Sequence, residues 1–460
     1  MLADTRGRLS WITADATHIA SMRVRGDRAG ERALGPWRSW ALVVGSAIGS
    51  AIFLMPAVLA PYGGLGLVTW AVAGLGALFV ALMFANLSRL VTAVGGPFAY
   101  ARAGFGDFAG FLIAWGYWIN LWSACAAIAI AFTSYLGVLI PAVAASSVLS
   151  AGIGLMLIWS LVVINILGVK EAGVVGLVTT ILKLIPLFFI GFIGLFFVQR
   201  STLPPLNPGR GSSLGLFASS FALTFWTFVG FEAITVPTED VADQQKTIPR
   251  ALVTGIVTVT VVYLLVALAV MGIVPNAELK ASTSPLADAG RGIAGSLAAT
   301  LVAVGALVST LGCINCTLLA CGQTAMAAGR AGVFPERFQR LTRHRTPGFS
   351  LVVAGVLMSA LLLLNYSKGL VGAYTFIILI ATLTTVVPYA FCAMASLVLA
   401  RPRRLWESAV AAVSFLVCMW VIASATHETV YWTFLLLMAG LPIYVVVTRK
   451  SSSATRSGPV

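Results

Sequence analysis

Val43-Val44-Gly45-Ser46-Ala47-Ile48-Gly49-Ser50-Ala51-Ile52-Phe53 lies in the middle of the first long apolar segment, residues 40–60. The segment has the length of a membrane span, yet its centre is Gly, Ser and Ala. Small residues there lower helix propensity and let other groups approach the backbone closely. The stretch reads two ways. It is either a tight helix-packing surface or a break in the helix, which bilayer depth tolerates only where the break is buried or lines a cavity. A break near Gly49-Ser50 would leave free N–H groups at the start of the second half, a site for an anion such as a carboxylate.

Composition places this stretch in a membrane. Of 460 residues, 59% are hydrophobic and 10% charged, and the apolar residues come in runs long enough to cross a core of ~30 Å. The sequence predicts an all-α membrane protein with twelve transmembrane helices, at 40–60, 65–87, 108–138, 148–168, 173–198, 213–236, 249–274, 296–327, 349–366, 371–399, 406–425 and 430–448. Residues 1–36 are polar and carry arginine without a short apolar core, so no signal peptide is expected. The six cysteines all fall in apolar spans. Cys313 and Cys316 form a Cys-x-x-Cys, but with no second pair and no nearby histidine they read as small packing residues.

The net charge of +14 follows from topology. With the N-terminus cytoplasmic, Arg200, Arg210, Lys280, Arg291 and Lys368 fall outside and Lys183 falls in a span; every other Lys and Arg is inside. That bias predicts both termini in the cytoplasm and an even number of spans. It also removes the case for nucleic acid. The basic loop from Gly329 to Arg345 reads as a membrane-surface anchor. The polar tails, 1–39 and 449–460, are expected to lack fixed structure, the second from Ser451-Ser452-Ser453 onward.

Span six, with Phe225-Trp226-Thr227-Phe228-Val229-Gly230-Phe231-Glu232-Ala233, shares the mid-span glycine of span one and adds a carboxylate two residues on. Five spans from each gives two halves of opposite orientation, 40–198 and 199–400, with 401–448 holding the last two spans. Paired interrupted helices at matching positions point to a transporter's binding site. Glu232 is the one acidic residue placed deep inside a span and Lys183 the one base, since Arg250 and Glu407 fall at the cytoplasmic start of theirs. Each costs at least ~2.5 kcal/mol at the bilayer centre and is a functional candidate. Glu232 is either a gate or proton site, or a cap for backbone N–H groups freed by the break. Lys183 is either a fixed cation with a part in coupling, or a helix-to-helix hydrogen-bond donor.

Several stretches then carry a family resemblance: Gly49 to Pro56, Gly95-Gly96-Pro97-Phe98-Ala99-Tyr100-Ala101-Arg102, Trp226 to Glu232, Ile273 to Leu279, Ser284 to Ala289 and Thr317 to Thr324. Together they resemble the amino acid–polyamine–organocation (APC) superfamily over about residues 40–400. The nearest branch is that of the basic amino acid/polyamine antiporters, the arginine/agmatine and putrescine/ornithine exchangers. The resemblance implies a LeuT-like 5+5 inverted repeat with broken helices one and six, and alternating access. It implies that Ser50 and Ala51 hold a substrate carboxylate, that carbonyls near Ala47, Trp226 and Val229 hold the α-ammonium, and that Trp226 stacks on the side chain. It places Tyr117 and Tyr389 at gates, where the residues alone suggest packing aromatics, and Glu232 at the pH-linked gate. Lys183 falls in the inter-helix site where related transporters hold sodium.

The same resemblance places Asn120, Leu121, Cys125, Thr317 and Ala381 around the pocket. Ala51 stands where a second glycine is usual, Thr317 where the arginine exchanger has an aromatic clamp, and Ala381 where a small polar residue is usual. These changes remove partners for a guanidinium. The function expected is a secondary transporter in a bacterial inner membrane exchanging a basic amino acid or its decarboxylated amine. The alternative is a proton-coupled, broad permease for neutral amino acids, which Lys183 favours. No cofactor, metal site or enzymatic activity is expected: the chain has no Gly-x-x-x-x-Gly-Lys-Ser/Thr loop, and His18, His344 and His427 lie outside the spans. Partners expected are the amino acid or polyamine, protons, the lipid bilayer and, from the antiporter relatives, a second copy in a homodimer.

Overall fold

A computed structural model describes residues 35–49, 51–91, 96–168, 183–209, 211–235, 241–365, 369–400 and 405–456. Among them the secondary structure is helical, without a β-strand. In chain order the helices are α1 (Pro36–Ala47), α2 (Ala51–Leu59), α3 (Gly64–Leu90), α4 (Pro97–Phe105), α5 (Asp107–Leu139), α6 (Pro141–Ala145) and α7 (Ser147–Leu167). Then come α8 (Lys183–Phe197), α9 (Ser213–Phe225), α10 (Gln244–Ile273), α11 (Asn276–Ala281), α12 (Pro285–Arg330), α13 (Gly348–Asn365), α14 (Leu370–Leu399), α15 (Leu405–Ser424), α16 (His427–Met438) and α17 (Leu441–Arg456).

Eight helical segments among the described residues are long and apolar enough to cross a membrane, and α1 and α2, bent by 43°, make a ninth if taken together. Three shorter apolar helices, Lys183–Phe197, Ser213–Phe228 and Gly348–Leu364, fall in the remaining expected intervals. The chain is therefore an integral membrane protein. The most apolar stretch of α5 is 83% buried, whereas those of α15 and of His427–Arg449 are 28% and 17% buried. Thus α5 is an interior post, and the last helices are peripheral, presenting side chains such as Leu405, Trp406 and Leu416 outward.

One boundary agrees with the sequence reading and one differs. Pro285–Arg330 is two helices meeting at the non-helical Ala294 and Gly295, φ 73° at the glycine, so the second starts at residue 296, as expected for span eight. The expected unstructured start at Ser451 is instead the last turns of α17, which runs to Arg456. Once Leu441–Thr448 is helical, each further residue adds a hydrogen bond without a new nucleation cost.

Local chemistry sets the ends. Ser146, Ser212 and Thr426 cap α7, α9 and α16, each accepting from the N–H three residues on. Prolines open carbonyls that neighbours use. Pro249 has no N–H for the carbonyl of Gln245, and Arg89 Nε donates to that oxygen at 3.4 Å. Pro388 likewise frees the carbonyl of Thr384, and Gly116 of α5 packs on it so closely that a Cβ there would sit 3.0 Å from the oxygen. The same Cβ would lie 3.6 Å from Pro388 Cγ, so α5 and α14 meet one residue from Tyr117 and one from Tyr389. Gly255 of α10 takes Val43 of α1 in the same way: a Cβ would lie 2.4 Å from the valine's Cγ1.

Candidate functional site

The first break is an inverse γ-turn. Ile48, at φ −75° and ψ 80°, ends α1, and the N–H of Gly49 donates to the carbonyl of Ala47 at 2.8 Å. Helix resumes at Ala51. Ser50 lies outside the described residues. The second break follows α9. A 3₁₀ turn covers Trp226–Phe228, Val229 is extended at ψ 140°, Gly230 has φ 110°, and a second 3₁₀ turn covers Phe231–Thr235. The two breaks meet: a Cβ on Gly230 would sit 3.1 Å from the carbonyl oxygen of Ser46. Only glycine combines this φ with this approach.

Tyr263 of α10 ties the breaks together. Its fully buried hydroxyl lies 2.8 Å from the carbonyl of Ala47 and 3.2 Å from that of Thr227. Its ring is set by edge contacts with Trp70 at 5.0 Å and Phe228 at 5.7 Å. A second phenol, Tyr135 of α5, donates to the carbonyl of Phe53 at 2.7 Å and accepts from the N–H of Leu286 at 3.2 Å, joining α5, α2 and the start of α12.

Between the breaks lies a cavity of about 300 Å³. It brings together Ala47, Ala51, Tyr117, Asn120, Leu121, Lys183, Trp226, Val229, Glu232 and Thr317, residues drawn from elements far apart in the chain. Three of the expected residues do not line it. Cys125 is buried with its thiol toward the carbonyl of Ile314, at 3.9 Å. Ala381 is fully buried, its carbonyl accepting from the hydroxyls of Thr384 and Thr385. Tyr389 stands behind Glu232 rather than on the surface of the cavity.

Glu232 is fully buried. Its Oε2 accepts from the Tyr389 hydroxyl at 2.5 Å and from the N–H of Gly230 at 3.0 Å, while Oε1 has no partner. The carboxylate therefore does cap the break, with half of its acceptor capacity left over. Phe84 and Phe231 fix the Tyr389 ring, at 5.2 and 5.8 Å, and Tyr117 faces the cavity beside Glu232. On another wall Lys183 is 5% exposed and donates to the carbonyl of Gly45. No carboxylate pairs with it among the described residues.

Other buried polar atoms at the cavity are also without partners: Asn120 Oδ1, Ser309 Oγ and the Trp226 indole N–H. Buried polar groups are nearly always satisfied, and a group left over costs about 1–3 kcal/mol. A set of them around one cavity is the signature of a site completed by a polar ligand or by water. Sequence reasoning missed Ser309, Thr227 and Tyr263, which carry no motif of their own. The sequence reads Cys313 and Cys316 as packing residues. Both line the cavity, although Cys313 does pack against Gly49, where a Cβ would meet its sulfur at 3.3 Å. No cluster of three metal-ligating side chains occurs among the described residues.

A helical membrane protein with a ligand-sized interior between two interrupted helices has the form of a solute carrier. The chain belongs to the amino acid permease family, which matches residues 34–454. It is similar to an arginine/ornithine antiporter of Pseudomonas aeruginosa, 30% identical over 382 residues, covering 80% of this chain and 79% of the relative. It is also similar to the putrescine transporter PotE of Escherichia coli K12, 25% identical over 433 residues, covering 91% of this chain and 96% of the relative.

Proposed function

We propose that this protein is a secondary transporter that exchanges a basic amino acid, or its decarboxylated amine, by alternating access. The observation that carries the reading is the cavity between the two breaks, with unpartnered Glu232 Oε1, Asn120 Oδ1 and Trp226 N–H at its surface. The names of the relatives, an arginine/ornithine antiporter and a putrescine transporter, supply the substrate class.

In this reading the chain crosses the membrane twelve times, the three shorter apolar helices included, with residues 40–198 and 199–400 as inverted repeats of LeuT type and residues 401–448 beside them. Ser50, Ala51 and the amides of the first break receive the substrate carboxylate. Carbonyls of Ala47, Trp226 and Val229 receive the α-ammonium, and Trp226 stacks on the side chain. Tyr117, Tyr389 and Glu232 form the gate, and Glu232 and Lys183 are the groups through which protons can be coupled. The membrane is a bacterial inner membrane, both tails are cytoplasmic, and the chain pairs as a homodimer.

The test is radiolabelled uptake into proteoliposomes, empty or preloaded with amino acids and polyamines. Uptake confined to vesicles preloaded with a basic amino acid or its amine supports exchange. Uptake of neutral amino acids into empty vesicles, driven by an inward proton gradient, overturns it.

A further inference from the structure

The residues around the cavity hold two charged groups, Glu232 and Lys183, on different walls. Glu232 belongs to the second break and packs toward α14 through Tyr389. Lys183 belongs to α8 and reaches α1 at Gly45. The first has one carboxylate oxygen that accepts no hydrogen bond, with the Tyr117 hydroxyl beside the group. The second is a cation whose protein partner is a single carbonyl, with Cys313 and Cys316 beside it and no anion paired to it among the described residues. In a water-poor interior such charges act over the width of the cavity, because the effective dielectric constant is far below that of water.

From this arrangement we infer that Lys183 is a specificity-determining residue, which makes the site select basic α-amino acids over diamines. The inference rests on the exchange reading and narrows its substrate class. A basic amino acid carries two cationic groups and one carboxylate. Its distal cation can use the free oxygen of Glu232, while its carboxylate lies in the favourable field of the Lys183 ammonium. A diamine of the same chain length carries two cations and no anion. One cation finds Glu232; the other faces Lys183 with nothing to offset the repulsion. A neutral amino acid leaves Glu232 without a counter-charge. The penalty on the diamine is electrostatic, so it follows the charge at position 183 rather than the shape of that side chain.

The experiment is binding of labelled ornithine to the full-length purified protein, with displacement by unlabelled ornithine, putrescine and ornithine methyl ester. The methyl ester keeps the size of the amino acid and removes its negative charge. In the unaltered protein, putrescine and the ester should each bind roughly tenfold or more weakly than ornithine, a difference of about 1.4 kcal/mol or more. Lys183→Met should narrow the ornithine–putrescine gap severalfold, and Lys183→Arg should keep it. Lys183→Gln serves as a second neutral variant where the methionine form does not fold. Putrescine displacing the label as well as ornithine does in the unaltered protein overturns the inference. So does a gap unchanged in a folded Lys183→Met or Lys183→Gln protein. Failure of ornithine, arginine and putrescine alike to bind the unaltered protein overturns the exchange reading itself, an outcome distinct from the other two.

Discussion

The hydroxyl of Tyr263 lies 2.8 Å from the carbonyl oxygen of Ala47, the last residue of α1. The same hydroxyl is 3.2 Å from the carbonyl of Thr227 in the second interrupted helix. A phenol has one hydrogen, so the two carbonyls share it, and α10 holds the two breaks in one geometry through a single group. Tyr263→Phe keeps the ring contacts with Trp70 and Phe228 and removes only this link. It should cost about 1–3 kcal/mol of stability, the range for buried carbonyls left unsatisfied. A lowered melting temperature in detergent, together with weaker substrate binding, is expected. A variant with unchanged melting and unchanged affinity would show that the link is incidental.

Gly230 offers a second test, because its φ of 110° and its approach to Ser46 are separable demands. Gly209 also has a positive φ, 78°, but no atom lies within 4 Å of where its Cβ would stand. Both glycine-to-alanine changes should cost about 1–2 kcal/mol in backbone strain, and Gly230→Ala should cost more by forcing the two breaks apart. Transport by the Gly230 variant should fall at least about tenfold, with the Gly209 variant near the unaltered rate. Equal rates for the two variants would mean that the contact between the breaks is not needed for turnover.

Trp226 is 8% exposed, lines the cavity and has no partner for its indole N–H. If it stacks on a cationic side chain, Trp226→Leu removes a contact of about 0.5–2 kcal/mol. Affinity for arginine or ornithine should drop by roughly 2- to 30-fold, measured by equilibrium binding. An affinity unchanged for both ligands would remove the stacking role and leave Trp226 as packing.

How much of this was legible in the sequence differs by level. The two interruptions were readable because glycine and small polar residues in the middle of an apolar run conflict with both helix propensity and burial. The charges Glu232 and Lys183 were readable for the same reason: each is costly in a span. Tyr263 was not, since nothing in Val262-Tyr263-Leu264 separates a tyrosine bridging two helix ends from one packed among leucines. The cavity-facing side of α12 was hidden in the same way. Ser309 and Cys313 sit in a run of Ala, Val, Leu and Gly whose period shows a helix but not which neighbour each face meets. Cys125 and Ala381 show the converse. Their spans were placed correctly, but rotation about the helix axis turned them away from the cavity, and rotation is set by packing with partners remote in sequence.

Glu232 and Tyr389 carry the last prediction. The 2.5 Å contact between them, with the Gly230 amide at 3.0 Å on the same oxygen, holds the carboxyl group at the second break, fully buried. A phenol and an amide can both donate to a carboxylate, whereas a protonated carboxyl would have to present one of its oxygens as a donor. A proton gained on the free Oε1 leaves Oε2 able to accept from both Tyr389 and Gly230, so what changes is the charge at the break and the donor that Oε1 then offers. Glu232→Gln fixes the group in an uncharged form of the same shape. Its NH₂ cannot accept, so the amide oxygen must serve both Tyr389 and Gly230. The variant should retain fold and melting temperature to within about 1–2 kcal/mol, and its transport rate should vary less with pH than that of the unaltered protein between pH 5.5 and 7.5. Tyr389→Phe, which leaves the carboxyl group in place and removes one donor, should displace the pH profile rather than flatten it. The measurement is the initial rate of counterflow in proteoliposomes clamped at the same pH on both sides. If the Glu232→Gln profile superimposes on that of the unaltered protein, the carboxyl group is a structural cap of the second break and the proton dependence lies elsewhere, with Lys183 as the next group to neutralise.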